Sequence, residues 1–155
     1  MAERFHRLKT NIRKELEFLV KLKTEKDSQV LTTAHPRILA SILHDFYTGI
    51  ERIFLRIAKE IDGKVPGGKD WHKALLVEMT KDLEKLRPPL ITIEFSDKLE
   101  EYLRFRHLFR NVYGFVIEKE RMKPLLEGFD DILEAVGKSV REFEKFIDEL
   151  ADKVI

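Results

Sequence analysis

Two arginines and a tyrosine near position 110 are the side chains of this sequence best suited to chemistry. Arg106, Arg110 and Tyr113 follow one another at spacings of i, i+4 and i+7. On a helix that advances about 100° per residue, this spacing places two guanidinium groups and a phenol on one face. Guanidinium groups bind phosphate through paired hydrogen bonds, so we expect this face to grip a phosphate group.

Three polar residues adjoin this face: Arg104, His107 and Asn111. Arg104 would be a third cation for phosphate or RNA. Imidazole is the side chain that titrates near neutral pH, so His107 is the nearby candidate for proton transfer. The carboxamide of Asn111 can orient a phosphate or a water, but it cannot transfer a proton. On an ideal helix His107 lies about 40° from Asn111 and about 100° from Arg106.

An apolar stripe beside these residues must turn the helix toward a core. Its members are Tyr102, Phe105, Leu108, Phe109 and Val112. Gly114 can adopt a left-handed conformation and is expected to end the helix. Leu99, Leu103 and Tyr113 fall on the arginine face and would expose an apolar strip there, which predicts a homodimer that covers it.

Another interpretation of the arginines is a solvated, salt-bridged helix face, because many glutamates accompany them. Metal chemistry is not expected, since no two of the five histidines lie three or four residues apart. The sequence holds no phosphate-binding glycine loop, so no cofactor is expected. The histidines are His6, His35, His44, His72 and His107.

The composition is typical of a single helical domain spanning residues 1–155. The net charge of +1 gives no overall field that would attract a polyanion, so nucleic-acid binding would need a local patch. There is no cysteine, no apolar signal core and no membrane-length apolar run, which predicts a cytoplasmic protein without membrane association. Charged residues make up 37% of the chain, and this suggests a thermophilic source.

Apolar residues recur every three or four positions along most of the chain, so we expect an all-α fold. The pattern predicts an up-and-down bundle of four main helices plus a short helix. The expected segments are Ala2 to Lys26, Pro36 to Asp62, a short helix capped by Asp70 and stopped by Pro88, a helix from Ser96 to Gly114, and Glu118 to Val154. Residues 90–95 are expected to form an extended linker.

The arginine segment also resembles the signature of the HEPN superfamily, in its HepT-like branch. That signature is an arginine, a polar residue, three more residues, a histidine, any residue and a tyrosine. Here it reads from Arg106 to Tyr113, with Asn111 where the family has histidine. The likeness extends over about residues 35 to 150, through the segments 42–54, 70–72 and 87–89.

The resemblance implies a HEPN-like bundle and the toxin of a type VII toxin–antitoxin pair, acting as a metal-independent endoribonuclease. It implies that Arg106 stabilises the pentacoordinate phosphorane and that a histidine acts as acid or base. Tyr113 matches the tyrosine to which a minimal nucleotidyltransferase antitoxin attaches AMP. The resemblance also implies a homodimer that brings two motifs into one cleft.

Asn111 leaves open whether the protein is an enzyme, unless His107 supplies the proton transfer. The alternative is a non-catalytic HEPN module that binds a nucleotide or a partner nucleotidyltransferase. A purely structural helical dimer is a third interpretation.

Overall fold

The computed structural model describes residues 1–111 and 117–154. These residues form five α-helices, with a π-helical segment, Ala58–Asp62, directly after the second, and no β-strand forms within the two ranges. The prediction of an all-α, up-and-down bundle of four main helices and one short helix is confirmed. The helices are α1 (Ala2–Asp27), α2 (Pro36–Ile57), α3 (Trp71–Glu78), α4 (Ile93–Asn111) and α5 (Lys119–Val154).

Helix α1 packs on α2 and α5 through the apolar stripe that its sequence predicts. Five of its six residues are buried and Leu16 is half-buried; the five are Phe5, Leu8, Ile12, Leu19 and Leu22. At the polar edge the guanidinium of Arg13 donates two hydrogen bonds of 3.0 Å to the carboxylate of Glu144 on α5. This division into an apolar and a charged face explains why α1 lies on the surface of the bundle.

Helix α2 is the centre of the bundle and packs against all four other α-helices. His35 caps its start, because its Nδ1 accepts a hydrogen bond of 3.1 Å from the backbone N–H of Arg37. Pro36 occupies the first turn as predicted. Gly49 allows α1 to come close, since a Cβ there would lie 2.6 Å from Cδ2 of Leu19.

The predicted limits of α3 and α4 are wrong. Helix α3 ends at Glu78 rather than near Pro88. Helix α4 begins at Ile93, so residues 93–95 are helical and only residues 90–92 form a linker. Thr92, and not Ser96, caps α4, because its Oγ1 accepts a hydrogen bond of 3.1 Å from the N–H of Phe95.

Arg87 organises the segment between α3 and α4. Its side chain is fully buried and donates to both carboxylate oxygens of Asp62, at 2.7 and 2.8 Å. The remaining N–H groups donate to the carbonyl oxygens of Glu78, Lys81 and Pro88 at 3.1–3.2 Å. A single guanidinium thus holds a segment of little regular structure against the end of the π-helical segment.

Helix α5 begins one residue later than predicted, at Lys119, and Pro124 lies near its start. The predicted cap at Gly114 and the stripe residue Val112 lie outside the described residues. Among the described helices, none is long and apolar enough to cross a membrane.

Candidate functional site

Arg106 on α4 forms a buried ion pair with Glu51 on α2. Its two terminal nitrogens donate to the two oxygens of the carboxylate, each at 3.0 Å. The exposed fractions of the two side chains are 2% for Arg106 and 7% for Glu51. Paired, parallel hydrogen bonds of this kind are the strongest geometry available to a guanidinium and a carboxylate.

His72, at the start of α3, completes this cluster. Its Nδ1 lies 2.8 Å from Oε2 of Glu51 and 2.8 Å from Nη2 of Arg106. When Nδ1 carries a hydrogen it donates to Glu51, and when it does not it accepts from Arg106. The ring of Trp71 lies 3.7 Å from the His72 ring, and a quarter of the His72 side chain is exposed.

The Tyr47 ring lies beneath the guanidinium of Arg106, 5.0 Å from its central carbon. Burial raises the pKa of the Tyr47 phenol, the charge of Glu51 raises it further, and Arg106 opposes both. The phenol therefore stays neutral at physiological pH. The neutral ring adds a cation–π contact to the ion pair. With Glu51 and Tyr47 on α2, His72 on α3 and Arg106 on α4, three helices meet at one polar cluster inside the bundle.

The expected phosphate-binding face would need the guanidinium of Arg106 to be open to solvent, and in this respect the prediction is wrong, because the side chain is only 2% exposed. Its neighbours on the same helix face, Leu99 and Tyr102, are buried, and the register of α4 carries Arg106 inward with them. Leu99 is fully buried and Leu103 is half-buried, so the exposed apolar strip expected at these two leucines is absent. The part of the homodimer argument that relied on these two leucines therefore fails, and Tyr113, the third residue of the expected strip, lies outside the described residues.

The opposite side of α4 presents His107 and Asn111 to solvent. The Asn111 amide donates to the carbonyl oxygen of His107 at 2.8 Å, and its Nδ2 lies 3.4 Å from Nε2 of the imidazole. The predicted proximity of these two side chains is therefore observed. Arg110 is also exposed and lies in the same turn.

Arg104 is exposed as well, but it is already paired with a carboxylate. Its Nη2 donates to Oε1 of Glu100 at 3.2 Å, and Nζ of Lys73 on α3 lies 3.2 Å from the same oxygen. The hydrogen bond from Lys73, followed by that from Arg104, lowers the pKa of Glu100. Here the interpretation as a salt-bridged face holds.

The structure thus divides the predicted site. His107, Asn111, Arg110 and Arg104 are exposed, while Arg106 points into the bundle. Tyr113 lies outside the described residues. No group of three or more His, Asp or Glu side chains suited to holding a metal ion occurs in the part of the chain that the structure describes.

Sequence reasoning missed Glu51 and His72 as members of the Arg106 cluster. A signal for Glu51 was present, because it is a charged residue within the apolar arc of α2, one turn after Tyr47. A carboxylate at such a position needs a buried cation or several donors. For His72 the sequence offered only its place next to Trp71 at the start of a helix.

A family model described as HepT-like protein matches residues 38–147, which covers α3, α4 and nearly all of α2. It leaves out α1 and the last residues of α5. Searches among curated proteins and solved structures find no match.

Proposed function

The chain belongs to the HepT-like protein family, and on this premise we propose that it is the toxin of a type VII toxin–antitoxin pair that cleaves RNA without a metal ion. The observation that carries this proposal is the exposed pair of His107 and Asn111, in contact on the surface of α4. His107 supplies the imidazole that the motif lacks at position 111.

In the proposed reaction His107 takes the proton from a ribose 2′-hydroxyl. The 2′-oxygen attacks the adjacent phosphorus, the bond from phosphorus to the 5′-oxygen breaks, and that oxygen takes up a proton from an imidazolium. The products are a 2′,3′-cyclic phosphate and a free 5′-hydroxyl. The donor of the second proton is His107 of the other protomer in a homodimer whose cleft joins two motifs.

The neighbouring side chains have distinct roles in this scheme. The Asn111 amide orients the phosphate, and Arg110 and Arg104 bind its charge, with Arg104 exchanging Glu100 for the phosphate. Arg106 acts as a positioning residue, because it is held by Glu51 and fixes the turn that carries His107. It would contact phosphate only by leaving Glu51.

We further propose that a minimal nucleotidyltransferase is the antitoxin and that it attaches AMP to Tyr113. This rests on the family resemblance alone. The adduct would add a bulky anion two residues from Asn111 and neutralise the cations that RNA phosphate needs.

The second candidate function is a non-catalytic module that binds a nucleotide or a partner nucleotidyltransferase. Two observations favour it: the charge of Arg106 is neutralised by Glu51, and position 111 carries no titratable group. Such a module would use the surface of α4 for binding without cleaving RNA.

The test is cleavage of a mixed RNA pool in the presence of a chelator, between about pH 5 and 8. We expect the wild type to cleave, His107→Ala to lower the rate by about 10²- to 10⁴-fold, and Asn111→His to change it little. His6→Ala is the matched control, since His6 is exposed on a different helix. Light scattering measures the dimer in the same samples.

Two outcomes would decide against the nuclease. An inactive wild type that gains cleavage through Asn111→His would show a module that has lost its acid–base group. Absence of cleavage by all four proteins, with the dimer intact, would refute the ribonuclease and leave the binding module.

A further inference from the structure

A groove of about 430 Å³ lies between α1 and the C-terminal part of α2. No residue of α4 lines it, so it is separate from the site proposed above. Arg7 and Asn11 line it from α1, and Arg52 and Arg56 line it from α2. Its size falls within the range of about 300–1,000 Å³ that is usual for small-molecule sites. The α1 wall lies outside the matched family segment, so the groove is not a feature of that segment alone.

Positive charge dominates the lining of this groove. Arg7, Arg52, Arg56 and Lys59 face two carboxylates, those of Glu15 and Glu60, which leaves a formal excess of two positive charges. Within the described ranges, no ion pair is formed by Arg7, Arg52 or Lys59. Cations gathered in a concave surface repel one another, and a bound anion removes that repulsion.

The two carboxylates do not neutralise these cations. Glu60 is engaged from outside the lining by Arg4, whose Nε lies 2.9 Å from its Oε2 and whose Nη2 donates to its carbonyl oxygen. Glu15 makes only a long contact of 3.5 Å with Nη2 of Arg56. Arg7, Arg52 and Lys59 therefore remain available to a ligand.

Arg56 supplies a second, independent observation. Its Nε is buried and has no hydrogen-bond partner among the residues that the structure describes. Leaving a buried N–H of a charged group without an acceptor is unfavourable, so a rotation of this side chain, which is 40% exposed, that brings Nε to an oxygen of a ligand in the groove would be favoured. A phosphate oxygen is the acceptor that best matches a guanidinium.

The local backbone is unusual at the same place. Lys59 and Glu60 belong to the π-helical segment Ala58–Asp62, which turns these side chains differently from a continued α-helix. π-Helical turns are rare and occur often at functional sites. Leu55 adds an apolar wall and Asn11 an amide that can both donate and accept, which suits a base or a sugar beside the phosphates.

We propose that this groove binds a nucleoside di- or triphosphate, with its phosphates on Arg7, Arg52, Arg56 and Lys59. Inorganic phosphate alone would leave most of the volume unfilled. The site is separate from the His107 surface, and the proposal does not depend on RNA cleavage.

Calorimetric titration with ADP, ATP, pyrophosphate and adenosine, in a chelator, tests the proposal. Arg52→Gln and Lys59→Gln remove exposed cations and should weaken ADP binding about tenfold each, while the melting temperature stays unchanged. Lys14→Gln is the matched control, because Lys14 is exposed on α1 and does not line the groove. Arg104→Gln tests for binding on α4 instead. Adenosine should bind far more weakly than ADP.

Several results would overturn the site. Equal weakening by Lys14→Gln would mean general attraction to a cationic surface, and weakening by Arg104→Gln alone would place the ligand on α4. Binding of a short RNA without binding of ADP or ATP would mean a nucleic-acid surface. If no phosphate compound binds saturably, the groove is not a binding site and its arginines and lysine are ordinary solvated cations.

Discussion

Replacing Arg106 with alanine is expected to destabilise the fold strongly. The change leaves the carboxylate of Glu51, only 7% exposed, with His72 as its remaining charged or polar partner in the cluster. Removing one member of a buried ion pair typically costs about 3–5 kcal/mol, because the other charge stays buried without compensation. For a chain of this length such a loss lowers the melting temperature by about 6–20 °C.

The assay is urea unfolding of the wild type, the single variants Arg106→Ala and Glu51→Ala, and the double variant that combines them. The double variant should lose less than the sum of the singles, because the second change removes the stranded charge. Arg104→Ala on the same helix is the control, and its exposed ion pair should contribute less than about 1 kcal/mol.

Equal losses for Arg106→Ala and Arg104→Ala would refute the burial argument. So would strict additivity in the double variant, since the two side chains would then not stabilise each other in the folded state. A stable Arg106→Ala protein that had lost only RNA binding would instead support the phosphate-binding role that the sequence predicted for Arg106.

Two further predictions concern packing and pH. Gly49→Ala should lower the free energy of unfolding by about 1–3 kcal/mol, because its Cβ would lie 2.6 Å from a Cδ of the buried Leu19. Gly137→Ala should instead stabilise α5 by up to about 1 kcal/mol, because only the flexible end of Arg141 is near. Thermal melts of the two variants show whether the two effects have opposite signs. The folded-state pKa of Glu100 is lowered from its ordinary value of 4.5, so its contribution to stability is present above that pH and is lost as the pH falls below it. Glu100→Gln should therefore flatten the acid side of a curve of stability against pH, and high salt should weaken the contribution in the wild type.

The sequence predicted the long helices well because their signal is local. The apolar residues of α1 and α2 recur with the helical period, and the structure buries most of them. The boundary between α3 and α4 could not be predicted in this way. Residues 90–95 alternate like a strand, but the N–H groups of Leu90 and Ile91 donate to the carbonyl oxygen of Met79, and Arg87 ties the preceding segment to Asp62. No local pattern reveals these contacts.

The candidate site was predictable in part for the same reason. The contact of His107 with Asn111 follows from a spacing of four along one helix. The burial of Arg106 follows from Glu51, which lies 55 positions earlier, and from the way α2 and α4 face each other. Helical spacing places side chains relative to their own helix axis, but it does not say which face meets the neighbouring helix.

Arg87 has a consequence for engineering the chain. The segment 79–92 contains no long helix, and on secondary structure alone it resembles a loop that would accept an inserted peptide. The carbonyl groups of Lys81 and Pro88 in this segment nevertheless accept hydrogen bonds from one buried guanidinium, as do the carbonyl of Glu78 just before it and the carboxylate of Asp62. An added residue would separate acceptors that must converge. The exposed turn at residues 67–69, where Gly67 has open space around it, carries no such constraint. Tags and fused domains therefore belong in the loop before α3, and the loop after it must keep its length.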